Sequence, residues 1–338
     1  MRPDRRRGIV LLVVLFFTLL LTSTIVTFVR RAAVDRMIAR NRDAAQQAEA
    51  LARGGVELAK ALLLEDKLRE AQTEFAVESS DELWALAGHT DLPVGDGTLR
   101  LEIRDAGSRL NLNALFEEGS LRDERSALLL EALLERVIAE LPGRPEDKPH
   151  DPRELADHLI DFIDADGERR ASGALEDDYY QRQDPPYAAA NRPLLSLDEL
   201  RLVEGFDGAL VEALEPYLTV HPQAGGGGIN PNTAPAHVLG LLYHGVSEGY
   251  RLADADQVAD LLALRETGGI WCDETASYEG CRPLAEVLDG EIYPPPSFTA
   301  DVFTVVSRAT VGEVTRSVEA VLDRSELPEV ALLAWRTR

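Results

Sequence analysis

Cysteine is almost absent: Cys272 and Cys281 are the only two in 338 residues. That excludes a disulfide-dense scaffold and a four-cysteine zinc site. In an oxidising compartment, two cysteines with eight residues between them predict one disulfide across a short loop. In the cytosol the same pair reads as free thiols or part of a metal site. Basic residues are also scarce, 35 Lys and Arg against 59 Asp and Glu, for a net charge of −24. That disfavours a nucleic-acid binder, which needs basic surface to replace counterions. The sequence has no nucleophile elbow, zinc-ligand cluster or phosphate loop, and its six histidines are scattered. His158, beside Asp157 on a predicted helix, reads as a surface residue rather than a base. We therefore expect a protein that is not an enzyme.

Apolar residues are not lacking, and the longest run lies at the amino terminus. After MRPDRRRG comes IVLLVVLFFTLLLTSTIVTFV, Ile9 to Val29, 21 residues without a charge. At 1.5 Å per residue this spans a bilayer core. No small-residue cleavage site of the A-x-A kind follows it. Arginines flank both ends, so basic-residue counts leave the orientation open. The cysteine pair favours a body outside the cytoplasm. Apolar residues continue at helical spacing from Val34 to Leu63, predicting one helix from Ile9 to about Asp66, roughly 90 Å long. Gly54-Gly55 is its expected weak point.

Leu99, Leu101 and Ile103 alternate with polar residues, and Leu110 and Leu112 extend that pattern past Gly107. Near the other end, DVFTVVSRATVGEVTRSVEAVLDR predicts two strands about Gly312. A lone hairpin is marginal in water. Two hairpins joined into one antiparallel sheet on the long helix are the economical solution. Residues from about Ala114 to Ala300 then form an insertion, and it reads as helical. Ser120 is a candidate cap for a helix carrying Leu128 to Leu141. Asp151-Pro152-Arg153-Glu154 and Ser196-Leu197-Asp198-Glu199 are further starts, as are Thr233-Ala234-Pro235 and Asp254. Gly225–Gly228 reads as a flexible joint. SLDELRLVEGFDGALVEALEPYL and INPNTAPAHVLGLL resemble helix-hairpin-helix elements. Asp207 stands where a DNA-binding version usually has a second glycine, which favours packing over phosphate binding.

A short basic leader ending in Gly8, followed by an apolar helix that turns amphipathic, resembles the type IV pilin superfamily. In that superfamily a membrane prepilin peptidase cuts after the glycine and the new terminus is methylated; here the matching cut is Gly8/Ile9. Pilins usually carry glutamate at the fifth mature residue, and Val13 takes that place. That departure is typical of one minor pseudopilin family, the K subunits of type II secretion. RLNLNALF, DFIDADGERRASGALEDDYY, PLLSLDELRLVEGF and INPNTAP resemble that family in order, over Arg5 to about Leu242. The resemblance implies an α+β fold: a long helix packed on a small antiparallel sheet, with a large, mainly helical insertion. It implies a leader at 1–8, a membrane segment at 9–29, and the first part of the core at 30–113. The insertion at 114–300, closing strands at 301–323 and a tail at 324–338 follow. It also implies a single-pass inner-membrane protein with a periplasmic body, at the pseudopilus tip. Its partners there are the minor pseudopilins I and J and other type II secretion components. The rivals from other classes are a membrane-anchored helix-hairpin-helix protein that handles DNA and an anchored periplasmic hydrolase.

Residues 164–180, DADGERRASGALEDDYY, hold six acids. Asp164 and Asp166 precede Gly167; Glu176, Asp177 and Asp178 come about ten residues later. Calcium takes six to eight hard oxygen ligands, and two acidic clusters on a loop that folds back can supply them. The loop lacks the EF-hand spacing. The plainer alternative is a solvated loop partly neutralised by Arg169 and Arg170. The K-family resemblance implies calcium here, with Asp164, Asp166, Glu176 and Asp177 as ligands and Asp178 as the alternative to Asp177.

Overall fold

The computed structural model describes residues 5–72, 76–143, 150–173, 175–223, 227–247, 249–273 and 280–337, with side chains from Ile9 onward except at His89. The first four residues of the expected leader lie outside these, as do Gly225 and Gly226 of the expected joint.

Helix α1 runs from Arg5 to Glu70, so the backbone passes through Gly8 and Ile9 without a break. Residues from Ile9 to Val29 are exposed all round, and this helix is long and apolar enough to cross a membrane. Further on, Ala48, Ala52, Val56, Ala59 and Leu63 are fully buried. Their spacing of four, four, three and four residues puts them on one stripe. Met37 and Ile38, on the intervening stretch, stay exposed, and Leu51 is half-buried. Gly54-Gly55 is not a weak point. A Cβ added at Gly55 would lie 2.1 Å from the Ser307 hydroxyl, so glycine here lets the helix approach the sheet closely.

The sheet has five strands in the order β1-β2-β3-β4-β5, all antiparallel: Leu92–Val94, Gly97–Asp105, Val302–Val311, Val314–Asp323 and Ala331–Thr337. Ile103 sits opposite Val305, so the two hairpins join across nearly two hundred residues. Leu99, Leu101 and Ile103 meet Phe303, Val305 and Leu322 beneath α1. Two details correct the sequence reading. The hairpin partner of β2 is Leu92–Val94, whereas Leu110-Asn111 pairs in parallel with Leu218-Thr219 in the insertion. The stretch expected to be a tail supplies β5, the fifth strand.

Between β2 and β3 the chain builds a second core. Helix α2, Glu124–Glu140, is capped by Asp123, whose side chain accepts from the Arg125 amide at 2.8 Å. The expected cap, Ser120, instead lies in a short strand with Leu121, and Leu128 faces solvent. Helix α3, Pro152–Ile163, starts with proline in its first turn, and Asp151 accepts from the amides of Arg153 and Glu154. Helices α4, Gly208–Leu214, and α5, Ala255–Glu266, complete the main set, α5 with a full capping box.

The asparagine-rich motifs are staples for this body. Asn113 donates to the carbonyls of Leu194 and Val220 and accepts from the Leu194 amide. Asn232 does the same with both backbone groups of Trp271. Asn230 and Thr233 donate to Asp105 at the end of β2, at 2.9 and 2.7 Å. INPNT therefore latches the insertion to the sheet. Cys272 and Cys281 form a disulfide with Cα atoms 5.9 Å apart.

Candidate metal centre

Helix α3 ends at Ile163, and the loop beyond it folds back through a bridge between Glu168 and Leu175. The Glu176 amide donates to the Gly167 carbonyl, which returns the second acidic group to the first. The Ala165 amide donates to the Gly119 carbonyl at 2.7 Å. Asn191, with a positive φ of 45°, donates through its side chain to the Asp166 carbonyl. The start of the loop is thus tied to the body.

This fold brings together Asp164, Asp166 and Glu176, each offering an oxygen within 4.8 Å of the others. Oxygens coordinating one calcium at 2.3–2.6 Å lie at most about 5 Å apart, so the spacing fits. Glu176 is only 2% exposed, and neither of its oxygens has a hydrogen-bond partner. Asp164 Oδ1 is likewise buried and unpaired. Burial, then repulsion from Asp164 and the other acids, pushes the Glu176 carboxyl up to about 8. Burial and the charges of Asp166 and Asp161 push Asp164 up to about 6. Buried carboxylates ordinarily find a donor; unpaired oxygens on Glu176 and Asp164, in a cluster whose three residues each bring an oxygen within 4.8 Å of the others, fit a hard cation.

The neighbouring arginines do not meet that need. Arg169 pairs with Glu204, and Arg170 with Glu124 and Asp157. The Arg170 amide donates to Asp161 at 3.0 Å. Asp177 is not in the cluster: its Oδ1 accepts from the Ala189 amide at 3.1 Å, which turns it away from Glu176. Asp178 does not join the described cluster either. Tyr179 and Tyr180 pack with Phe162 and Tyr187, and Tyr179 also lines a cleft of about 410 Å³ that reaches Asp178 and Glu204 rather than the Asp164, Asp166 and Glu176 cluster.

The helix-hairpin-helix-like element is closed to phosphate by its own aspartate. Asp207 accepts from the Leu210 amide at 2.8 Å and pairs with His150 at 3.0 Å. Gly205, with φ of +84°, turns the chain against Leu155 of α3. The amides that a DNA-binding version presents are capped here.

Residues 108–223 match the family model described as type II secretion system protein K. A type II secretion system protein K of Klebsiella pneumoniae is 35% identical over 217 residues, covering 63% of this chain and 62% of that protein. One of Pseudomonas aeruginosa is 30% identical over 237 residues, covering 66% of each. The matches thus span just under two thirds of those relatives' length. Among solved structures, a chain in the GspK-GspI-GspJ complex of enterotoxigenic Escherichia coli shares the fold, with TM-score 0.63 and 22% identity. That superposition covers 89% of this chain and 99% of the other.

Proposed function

We propose that this chain, which belongs to the type II secretion protein K family, is a non-enzymatic minor pseudopilin that starts or caps the pseudopilus from its tip. The observation that carries this reading is the shape of the molecule. A bare apolar helix from Ile9 to Val29 leads into a pilin-like sheet interrupted between β2 and β3 by a large second body. Such a body clashes with a copy stacked above it in a uniform filament lattice. Val13, exposed on the helix, has no charge with which to neutralise a neighbour's terminal amine in the membrane. Both features suit a subunit with nothing packed above it. The exposed stripe around Met37 and Ile38 is surface for neighbouring subunits.

Maturation is part of the proposal: prepilin peptidase cuts between Gly8 and Ile9, the new terminus is methylated, and α1 anchors a periplasmic body to the inner membrane. In that oxidising compartment the Cys272–Cys281 bond persists. Calcium is held by Asp164, Asp166 and Glu176, with the unpaired oxygens of Glu176 and Asp164 as its inner ligands. Its role is structural. It supplies the positive charge the loop lacks and fixes the loop to α3.

The deciding experiment expresses the full chain with its cognate I and J pseudopilins and prepilin peptidase. A defined complex of the three subunits is expected, with Ile9 as the amino terminus by mass spectrometry and Gly8→Val left uncut. Functional protein beginning at Met1, or localisation along filament shafts, sinks the reading.

A further inference from the structure

Basic residues are scarce in this chain, yet five arginines stand together where α1 leaves its apolar run. Residues 30–43 read RRAAVDRMIARNRD, with Arg30, Arg31, Arg36, Arg40 and Arg42 against Asp35 and Asp43. Five positive charges less two negative give this stretch +3, in a chain of −24. All five arginines are exposed. Among the described residues none of them has an ion pair or a side-chain hydrogen bond. Asp43 is engaged instead by Gln47, whose Nε2 donates to it at 3.2 Å. Further along the same helix the opposite holds. Arg53 pairs with Glu49, Lys60 with Glu57 and Arg69 with Glu65, each about one turn away. Lys67 reaches Asp301, just before β3. Thus α1 pairs its basic residues along the body and leaves them open along the stretch that precedes it.

That open stretch adjoins the apolar run. At about 1.5 Å per residue, Ile9 to Val29 is about 31 Å long, the depth of a hydrocarbon core, so Val29 sits at its edge. Arg30 and Arg31 then lie about 2–3 Å further out, inside a headgroup layer about 5–8 Å deep. Arg36 is about 10 Å out, and its long side chain can reach back to that layer. Arg40 and Arg42, about 16 and 20 Å out, are past contact and past the screening length of about 8 Å at physiological salt. In the orientation proposed above, this flank is the one carried across the membrane, against the usual retention of arginine on the cytoplasmic side. The chain offers these arginines no acid; the adjoining membrane surface can.

On the reading that α1 spans the membrane, on which this site depends, we propose that Arg30, Arg31 and Arg36 bind the phosphates of acidic phospholipid headgroups. A guanidinium takes a phosphate bidentately. Basic residues beside a membrane helix draw acidic lipid to it.

The test reconstitutes the full chain in phosphatidylcholine vesicles with a trace of spin-labelled lipid, either phosphatidylglycerol or phosphatidylcholine. Electron spin resonance separates lipid held at the protein from free bilayer lipid. Phosphatidylglycerol should be held at least threefold more strongly than phosphatidylcholine. Arg30→Gln, Arg31→Gln and Arg36→Gln combined should bring that ratio to about one. Arg30→Lys, Arg31→Lys and Arg36→Lys combined should keep at least half of the preference, because the charge remains. Arg40→Gln with Arg42→Gln should leave the ratio nearly unchanged. Every variant should hold phosphatidylcholine as the unsubstituted chain does, which shows that it still spans. Equal retention of the two lipids by the unsubstituted chain, or an undiminished ratio in the triple glutamine variant, overturns the proposal but leaves a spanning helix. Retention of neither lipid overturns both. Loss of the preference in inorganic phosphate, at the ionic strength of a chloride control that keeps it, marks a free-phosphate site and overturns the assignment to lipid.

Discussion

The protein builds two acidic clusters of the same size, each around a buried glutamate, and resolves them in opposite ways. Asp66, Glu78 and Glu82 offer oxygens within 4.8 Å of one another, as do Asp164, Asp166 and Glu176. In the first, Arg324 is fully buried among the acids. It donates to Asp66 at 2.7 Å, to Glu70 at 2.6 Å, to Glu78, and to the carbonyls of Leu63 and Ala300. The Phe303 ring lies under its guanidinium, 4.7 Å to the centroid. Burial, and then a hydrogen bond shared with Glu70, push Glu78 up to about 11, so it keeps its proton. Against burial, the Glu78 hydrogen bond and the Arg324 charge hold Glu70 below the usual carboxylate range. One acid stays neutral, another ionises, and every donor of Arg324 is used. In the second cluster no guanidinium enters and three oxygens stay orphaned. A cluster with its own cation is a structural joint, here binding α1, the chain before Trp84 and the end of β4. A cluster without one is where the proposed calcium would supply the missing charge.

The sharpest way to break this comparison is to remove the internal cation. Arg324→Met leaves ionised carboxylates buried without a partner, and such losses run to about 3–5 kcal/mol. Chemical denaturation of the chain should show a drop of that order, and calcium should not restore it. A drop below about 1 kcal/mol, the range of an exposed pair, would mean the cluster is not a joint.

Calcium is the next test. A cation that binds only the folded form stabilises by about 2.7 kcal/mol at a hundredfold excess over Kd. Chelation should lower the melting temperature and calcium should restore it; magnesium, which needs a smaller octahedral shell, should restore it poorly. Asp164→Ala with Glu176→Ala should abolish the response, while Asp177→Ala should keep it, because Asp177 faces Ala189. A melting curve unmoved by exhaustive chelation removes calcium from the site. The disulfide should matter about as much. Replacing Cys272 and Cys281 by serine should cost roughly 2–3 kcal/mol, as for a short closed loop, and alkylation of the native protein should find no free thiol.

The two clusters were unequally legible in the sequence. Asp164, Asp166 and Glu176 lie on one short loop, so their density raised a shared cation beside a solvated loop, and the family resemblance favoured the cation. What density could not separate is Glu176 from Asp177. Adjacent residues entering the helical turn Asp177–Tyr180 point apart, one into the body and one to the Ala189 amide. The Arg324 joint gave no local signal at all: its acids are 246, 254 and 258 residues away. The long helix and the sheet were readable because Leu99, Leu101 and Ile103 alternate and Gly312 marks a hairpin. Strand β5 was not, because its residues are exposed on both faces and show no alternation. Leu110 and Leu112 kept the alternation but left the sheet, since Asn111 and Asn113 are held by carbonyls in the insertion. Ser120 resembled a cap, yet Asp123 has the position whose side chain reaches the free amide.

A third buried acid sharpens the contrast, because it has neither a cation in contact nor an orphaned oxygen. Asp105 is 2% exposed and accepts from the Gly107 amide, Asn230 and Thr233. Burial raises its carboxyl to about 6, against the pull of those three donors and the more distant Arg324 charge. The folded value lies above the unfolded one, so the native state holds the proton more tightly. The resulting stability is fully present below about pH 4, the unfolded value, and is lost as pH rises through about 6. Asp105→Asn keeps a carbonyl oxygen for two of the donors and removes the titration. Compared with this variant, the unsubstituted chain should therefore lose stability between about pH 4 and pH 6 and change little above it. Denaturation midpoints measured in parallel, with calcium saturating so that the metal cluster does not contribute, isolate this group. Parallel pH profiles for the two proteins would mean that Asp105 is ionised throughout, and that the three donors outweigh burial. Arg324→Met should extend the window to higher pH by removing the one positive charge that favours the Asp105 anion. That small coupling is what distinguishes a latch within reach of the Arg324 joint from one that stands alone.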